Sequence, residues 1–171
     1  MIIFLVGYAG SGKSSMGRKL ANRLGYKFID TDAEVEREVG ASIADIFLYE
    51  GEEYFRRAER ECVERVARGS ENVVVSTGGG LPTWSDNMLW LNANGLTVYL
   101  SRSAEQILRR LSAYGRERRP MFRGKSDEEL LAFMREQMSA REPFYAQARM
   151  TADCRTMSDT EAIEYIAKSV R

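Results

Sequence analysis

The chain has no histidine, only two cysteines and only three prolines among its 171 residues. Lacking an imidazole, it must run any catalysis on carboxylates, Lys, Arg, backbone groups and Mg²⁺. Cys62 and Cys154, far apart and with no histidine to join them, make no zinc-type ligand set. Excess charge of either sign is also missing. Twenty-five basic residues offset twenty-five acidic ones, so no bulk field draws nucleic acid or an anionic membrane, and any polyanion site must be local. Long hydrophobic runs are absent too. Ile2-Ile3-Phe4-Leu5-Val6 is too short for the apolar region of a signal peptide and far too short to span a bilayer, so a cytoplasmic location is expected, without membrane or nucleic-acid partners. No linker, repeat or low-complexity stretch divides the sequence. A single domain over 1–171 is expected, long enough to bury roughly two-thirds of its unfolded surface without staples.

What is present begins with that apolar run. It leads into Gly7-Tyr8-Ala9-Gly10-Ser11-Gly12-Lys13-Ser14, a complete G-x-x-x-x-G-K-[ST] phosphate loop between a strand and a helix. Its glycines let the backbone turn tightly and aim N–H groups at phosphate oxygens, and the following helix adds the positive end of its dipole. The motif points to a nucleoside triphosphate, with Lys13 reaching the β- and γ-phosphates and Ser14 on Mg²⁺. A glycine-rich turn with a chance lysine would not match every fixed position and both flanks.

Beyond the loop, strand and helix alternate. A helix is expected over Lys13 to Leu24 with Gly25 as its stop, a short strand at Lys27 to Asp30, and a helix from Asp32 to Val39 closed by Gly40. Ser42-x-x-Asp45 opens a further helix, interrupted near Gly51, and a longer one follows from about Glu52 to Arg68. Asn72 to Thr77 and Leu96 to Leu100 are too continuously apolar for a one-sided sheet and read as buried parallel strands. Ser103-x-x-Gln106 and Ser126-x-x-Glu129 each start a helix, the second carrying Leu130, Leu131, Phe133, Met134 and Met138. A weak strand near Met150 to Ala152 and a helix from about Thr160 complete an α/β chain, expected to be a three-layer sandwich around a mostly parallel sheet with ligands at the carboxyl ends of its strands.

Three further groups carry chemistry. Asp30-Thr31-Asp32 ends the second strand: one carboxylate can help hold Mg²⁺ through water and the other can accept a proton from a substrate hydroxyl, although Asp32 could also simply cap the next helix. Arg56 offers a planar fork for a carboxylate or phosphate, and Glu59 on the same helix face can hold it; a solvated salt-bridge face is the plainer alternative. Gly78-Gly79-Gly80 lets the main chain approach a ligand closely. Between the last two helix starts lies Gly115 to Lys125, with Arg116, Arg118, Arg119, Arg123 and Lys125 against Glu117 alone. Such a segment suits a cationic flap closing over a triphosphate. Its one aromatic, Phe122, makes it a poor single-strand binder.

Assembled in this order and spacing, the chain resembles the shikimate kinase family over nearly its whole length. The resemblance rests on Gly7 to Ser14, Phe28-Ile29-Asp30-Thr31-Asp32, Ser42 to Phe47, Gly51 to Arg57 with Glu59, the three glycines, Arg119-Pro120, and Arg141-Glu142-Pro143-Phe144-Tyr145. It implies phosphoryl transfer from ATP to the 3-hydroxyl of shikimate on a nucleoside monophosphate kinase-like P-loop fold, its five-stranded sheet ordered 2-3-1-4-5. A substrate-binding segment at about 31–60 and a lid at about 112–125 are implied as well. Carried over by position, the pattern gives ATP the residues Gly10, Ser11, Gly12, Lys13, Ser14 and Ser15, and gives Mg²⁺ Ser14 and, through water, Asp30. Asp32 becomes the candidate base on the acceptor hydroxyls. Arg56 and Arg141 clasp the shikimate carboxylate, the Gly79 backbone approaches the ring hydroxyls, Arg119 bridges ATP and the transferring phosphate, and Arg110 lies against adenine. An adenine-contacting loop falls around Asp153-Cys154-Arg155, with Arg155 offered to ATP. The flap reads Arg119-Pro120-Met121-Phe122 where the family commonly has Arg-Pro-Leu-Leu, so lid packing is the expected point of difference. A kinase for another small acceptor, such as gluconate or a nucleoside monophosphate, is the neighbouring alternative, and a monomer is expected. An ATP-binding module without turnover would lack one of Lys13, Asp30, Asp32 or Arg119, and none is missing.

Overall fold

The apolar run after Met1 becomes the central strand of a five-stranded, all-parallel sheet in the order β2-β3-β1-β4-β5. In the computed structural model, which describes residues 1–69 and 71–170, the strands are β1 (Ile2–Val6), β2 (Lys27–Asp30), β3 (Val73–Ser76), β4 (Leu96–Ser101) and β5 (Met150–Asp153). Pairing of Ile2 with Val73 and of Ile3 with Leu96 sets the register on the two sides of β1. Alternate residues of each strand feed opposite cores, because side chains leave a strand on alternating faces. Ile3, Leu5, Val74, Val98 and Leu100 pack under α1 (Lys13–Leu24) and α9 (Asp159–Ser169), meeting Met16, Leu20, Ala162 and Ile166. Phe4, Val6, Val73, Val75 and Tyr99 face the second layer, built from α2 (Thr31–Val39), α3 (Ile43–Glu50), α4 (Glu52–Gly69), α5 (Asn87–Asn94), α6 (Ala104–Arg110) and α8 (Asp127–Tyr145). Burial on both faces accounts for the near-continuous apolar runs of the three central strands β1, β3 and β4, whereas the edge strands β2 and β5 are more polar and less buried.

Helix ends follow the local signals. Gly25 closes α1 in the left-handed region at φ 71°, its N–H bonded to the carbonyls of Ala21 and Asn22, and Gly40 ends α2 in the same way. Capping boxes open α6 at Ser103 and Gln106, α8 at Ser126 and Glu129, and α9 at Ser158 and Glu161.

Two local expectations need correction. Helix α2 starts at Thr31, and its cap is Asp30, whose side chain accepts from the N–H groups of Asp32 and Ala33; Asp32 is therefore inside the first turn and free of the capping role. Helix α5 and a 3₁₀ turn at Leu81–Thr83 lie where no element was expected. Nothing local announces α5, because Asp86 makes no side-chain cap bond and the segment is held instead by buried Asn87 donating to the Leu81 carbonyl. The basic segment between α6 and α8 contains the short α7 (Ala113–Glu117) and a 3₁₀ turn at Pro120–Phe122.

Candidate active site

All three glycines of the phosphate loop, Gly7, Gly10 and Gly12, have positive φ, where a side chain would strain the backbone. At Gly7 the obstacle is also spatial, since a Cβ would stand 2.9 Å from the Leu100 carbonyl oxygen. Lys13, only 7% exposed, donates from Nζ to the carbonyls of Gly7 and Tyr8 at 2.8 Å each. Burial is the main cause of its lowered pKa, about 8, with Asp32 and Asp30 opposing and Arg119 and Arg141 adding to the drop. Gly10, Gly12, Lys13, Ser14 and Ser15 line a cleft of about 310 Å³ together with Asp30, Asp32, Gly79, Arg110 and Arg119. Of the loop residues assigned to ATP, Ser11 does not line it. Its N–H is bonded to the Tyr8 carbonyl at 3.1 Å and its side chain is buried.

Asp30 has two tasks. One oxygen caps α2, while Oδ2 accepts from Ser14 Oγ, and Ser76 Oγ lies 3.2 Å from the same hydroxyl. This hard-oxygen set at the head of the phosphate loop fits Mg²⁺, which binds through one or two protein groups plus phosphate and water. No group of three or more carboxylate, thiol or imidazole side chains that could hold a metal occurs among the described residues. Asp32, half-buried beside this set, has its pKa raised to about 6 by desolvation first and Asp30 second, with Lys13 opposing.

The three glycines after β3 make room for side chains as much as for a ligand. A Cβ at Gly78 would overlap Glu59 Oε1 and stand 2.8 Å from Asp32 Oδ1; one at Gly79 would lie 3.0 Å from the Ala9 nitrogen; one at Gly80 would overlap the Arg56 guanidinium. The Gly78 N–H is itself used, donating to Thr31 Oγ1 at 3.0 Å, and the Gly79 carbonyl accepts from the Tyr145 hydroxyl at 2.6 Å. Arg56 is buried, with Nη1 donating to Glu59 Oε2 at 2.7 Å and its guanidinium centre 5.4 Å and 5.9 Å from the rings of Phe55 and Phe47. The solvated salt-bridge alternative for this arginine therefore fails. Glu59 is 1% exposed and its Oε1 has no partner; desolvation raises its pKa to about 8 against the pull of Arg56. Arg141, on α8, stands with its guanidinium centre 5.8 Å from the Tyr8 ring, beside Gly79.

Arg119 reaches the cleft from the basic segment between α6 and α8, bonded through Nη1 to the Gly115 carbonyl at 2.8 Å. Its pKa is lowered, by burial first and Arg118 second. Among the described residues, Lys13, Arg119 and Arg141 form no ion pair, so three cations converge on the cleft and its rim without an acid of their own. Arg110 lies over Gly12, where a Cβ would come within 2.7 Å of its Nη2. Arg155 instead pairs with Asp153, Nε to Oδ1 at 2.8 Å, and is exposed away from the cleft lining. In the same segment, Phe122 is fully buried against Tyr8 and Phe133 at ring-centre distances of 6.3 Å and 6.4 Å, while Met121 stays exposed. The Met-Phe departure thus places an aromatic anchor under the flap. Ser76, Tyr145, Arg102 and Asp159 also touch the site's framework without any assignment from sequence. Ser76 sits inside an apolar strand and Arg102 alone after one, so neither has a local signature.

A phosphate loop on a parallel 2-3-1-4-5 sheet, an acid beside it and Arg119 lining the same cleft define a P-loop phosphotransferase of the small-molecule kinase class. The family model described as shikimate kinase matches residues 9–171. Shikimate kinase of Parabacteroides distasonis is 41% identical over 98% of this chain and 96% of its own length, and that of Symbiobacterium thermophilum is 44% identical over 95% and 92%. Among solved structures, shikimate kinase of Bacteroides thetaiotaomicron superposes with a TM-score of 0.88 at 36% identity, covering 99% of this chain and 96% of that one. The Acinetobacter baumannii enzyme in complex with shikimate gives 0.87 at 33%, covering 99% and 92%. The chain belongs to the shikimate kinase family.

Proposed function

We propose that the chain transfers the γ-phosphoryl group of ATP to the 3-hydroxyl of shikimate, giving shikimate 3-phosphate and ADP. The observation that carries this reading is the convergence of Asp32, Arg56 and Arg141 on the three glycines, next to the phosphate loop. Two arginine forks and a carboxylate suit a compact hydroxy-acid; a nucleotide acceptor would call for base contacts and a second phosphate clamp. The relative from Acinetobacter baumannii was solved with shikimate, which supports the same acceptor.

In this reading the loop amides and Lys13 hold the phosphates, and Arg119 stabilises charge on the group in flight from within the closing lid at about 112–125. Arg56, backed by Glu59, and Arg141 seat the carboxylate, which fixes the ring so that its 3-hydroxyl faces Asp32. Asp32 accepts the hydroxyl proton as the oxygen bonds to phosphorus and ADP leaves, then releases the proton to water. With its pKa near 6, it is mostly ionised at pH 7 yet basic enough to take a proton. Ser14 and, through water, Asp30 would hold Mg²⁺, which when bound neutralises charge on the β- and γ-phosphates. Arg110 would contact adenine. We further propose a cytoplasmic monomer whose partners are its two small substrates; no helix among the described residues is long and apolar enough to cross a membrane.

A coupled ADP-release assay with Mg-ATP, run in parallel against shikimate, quinate, gluconate and AMP, tests this. Turnover with shikimate alone is expected. Turnover on another acceptor with silence on shikimate would keep the ATP site and overturn the clasp.

A further inference from the structure

One carboxylate outside the machinery assigned above joins three segments at the nucleotide end of the cleft. Asp159, the first residue of α9, accepts from both terminal nitrogens of Arg110, Nη1 to Oδ1 and Nη2 to Oδ2 at 3.2 Å each. The same carboxylate accepts from Nη2 of Arg102. Arg102 follows β4, and its side chain is only 6% exposed. Its Nε donates to the Ser11 carbonyl at 2.8 Å, inside the phosphate loop. A guanidinium this buried is costly to leave unpartnered, and its two main acceptors are the loop carbonyl and Asp159. Burial alone would raise the Asp159 pKa, but the bonds from Arg110 and Arg102 outweigh it and hold the carboxyl below its ordinary value.

The Ser11 contact bears on phosphate binding through peptide geometry. In a trans peptide the C=O and the following N–H point in opposite directions, and no peptide among the described residues is cis. Ser11 does not line the cleft whereas Gly12 does. An Arg102 bond that holds the Ser11 carbonyl on the α9 side therefore directs the Gly12 N–H toward the cleft. Asp159 fixes Arg102 in that pose and at the same time keeps Arg110 over Gly12.

We infer that Asp159 and Arg102 are positioning residues of the nucleotide site. Asp159 acts directly on Arg110 and, through Arg102, on the Ser11–Gly12 peptide. This rests on the nucleotide half of the proposed function and is independent of the acceptor. The alternative is a plain brace that ties α9 to the sheet with no effect on ligands.

The test is calorimetric titration of Mg-ADP, and separately of shikimate, into the wild type, Arg102→Lys and Asp159→Asn, with melting curves for each. Lysine keeps a cation beside Asp159 but reaches only one of the two acceptors. Both variants should bind ADP about tenfold more weakly, a typical loss for a charge-assisted bond, with shikimate affinity unchanged and Asp159→Glu recovering part of the loss. ADP affinity within twofold of wild type in a folded Arg102→Lys overturns the inference. Equal weakening of both ligands, or loss of the fold in both variants, assigns the network to stability and overturns it as well. Wild-type ADP binding without turnover of shikimate would sink the acceptor assignment alone, whereas no ADP binding by the wild type would sink both.

Discussion

Asp32→Asn should cost the protein its turnover and make it more stable, and both effects follow from the same buried carboxyl. Desolvation in the cleft and the neighbouring Asp30 raise the Asp32 pKa from 3.8 to about 6. A carboxyl whose pKa rises on folding favours the fold in its protonated form: the advantage is full below pH 3.8 and is lost as pH climbs through about 6. Above that the native state carries an unfavourable ionised group, and a shift of this size corresponds to about 3 kcal/mol at most. Asn removes the charge while nearly preserving shape, so at pH 8 the variant should melt several degrees higher than wild type, roughly 2–4 °C per kcal/mol for a chain of this size. The gain should fade toward pH 4. In the ADP-release assay the variant should lose about 10²–10⁴ in kcat, the usual worth of a positioned base, with ADP affinity nearly intact. Wild-type kcat should fall about tenfold per pH unit below about 6 if this carboxylate must be ionised. Retained turnover, or a melting temperature at pH 8 no higher than wild type, would refute the reasoning.

Arg56→Ala should weaken shikimate binding at least about tenfold while leaving ADP binding unchanged, as separate titrations would show. It also strands Glu59, whose raised pKa can only rise further without the guanidinium, so the variant's loss of stability should be larger at pH 8 than at pH 6. Gly80→Ala is a cleaner probe of the same clasp: Gly80 has an ordinary φ of −92°, so the added methyl introduces no backbone strain and acts only by displacing the Arg56 guanidinium. It should raise the KM for shikimate and spare that for ATP; equal effects on both would point to general damage. Cys62, its pKa pushed up to about 12 by burial, and Cys154, raised for the same cause, should resist an aromatic disulfide reagent in the native state and react together on unfolding.

The amino-acid order alone determined whatever depends on neighbours a few residues apart. The phosphate loop is readable because its glycines, Lys13 and Ser14 act as one backbone turn, and Gly25, Gly40 and the capping residues Ser103 and Ser126 announce helix ends by local hydrogen bonds. Buried parallel strands are readable from runs such as Val73-Val74-Val75, since only a sheet covered on both faces tolerates them. Helix α5 was hidden because its anchor is a tertiary bond from Asn87 and not a cap. The cap of α2 went to Asp30 rather than Asp32 because Asp30 can turn one oxygen to the helix and the other to Ser14, across sixteen residues of sequence. Only the folded chain could show that Gly78 and Gly80 yield space to Glu59, Asp32 and Arg56, or that Arg102 after one strand meets Asp159 at the start of the last helix. Such contacts depend on crossovers that place distant segments at one edge of the sheet. Charge and burial at Asp32, Lys13 and Glu59 were settled there too, because a pKa responds to solvent and neighbouring charges in space, whatever their separation along the chain.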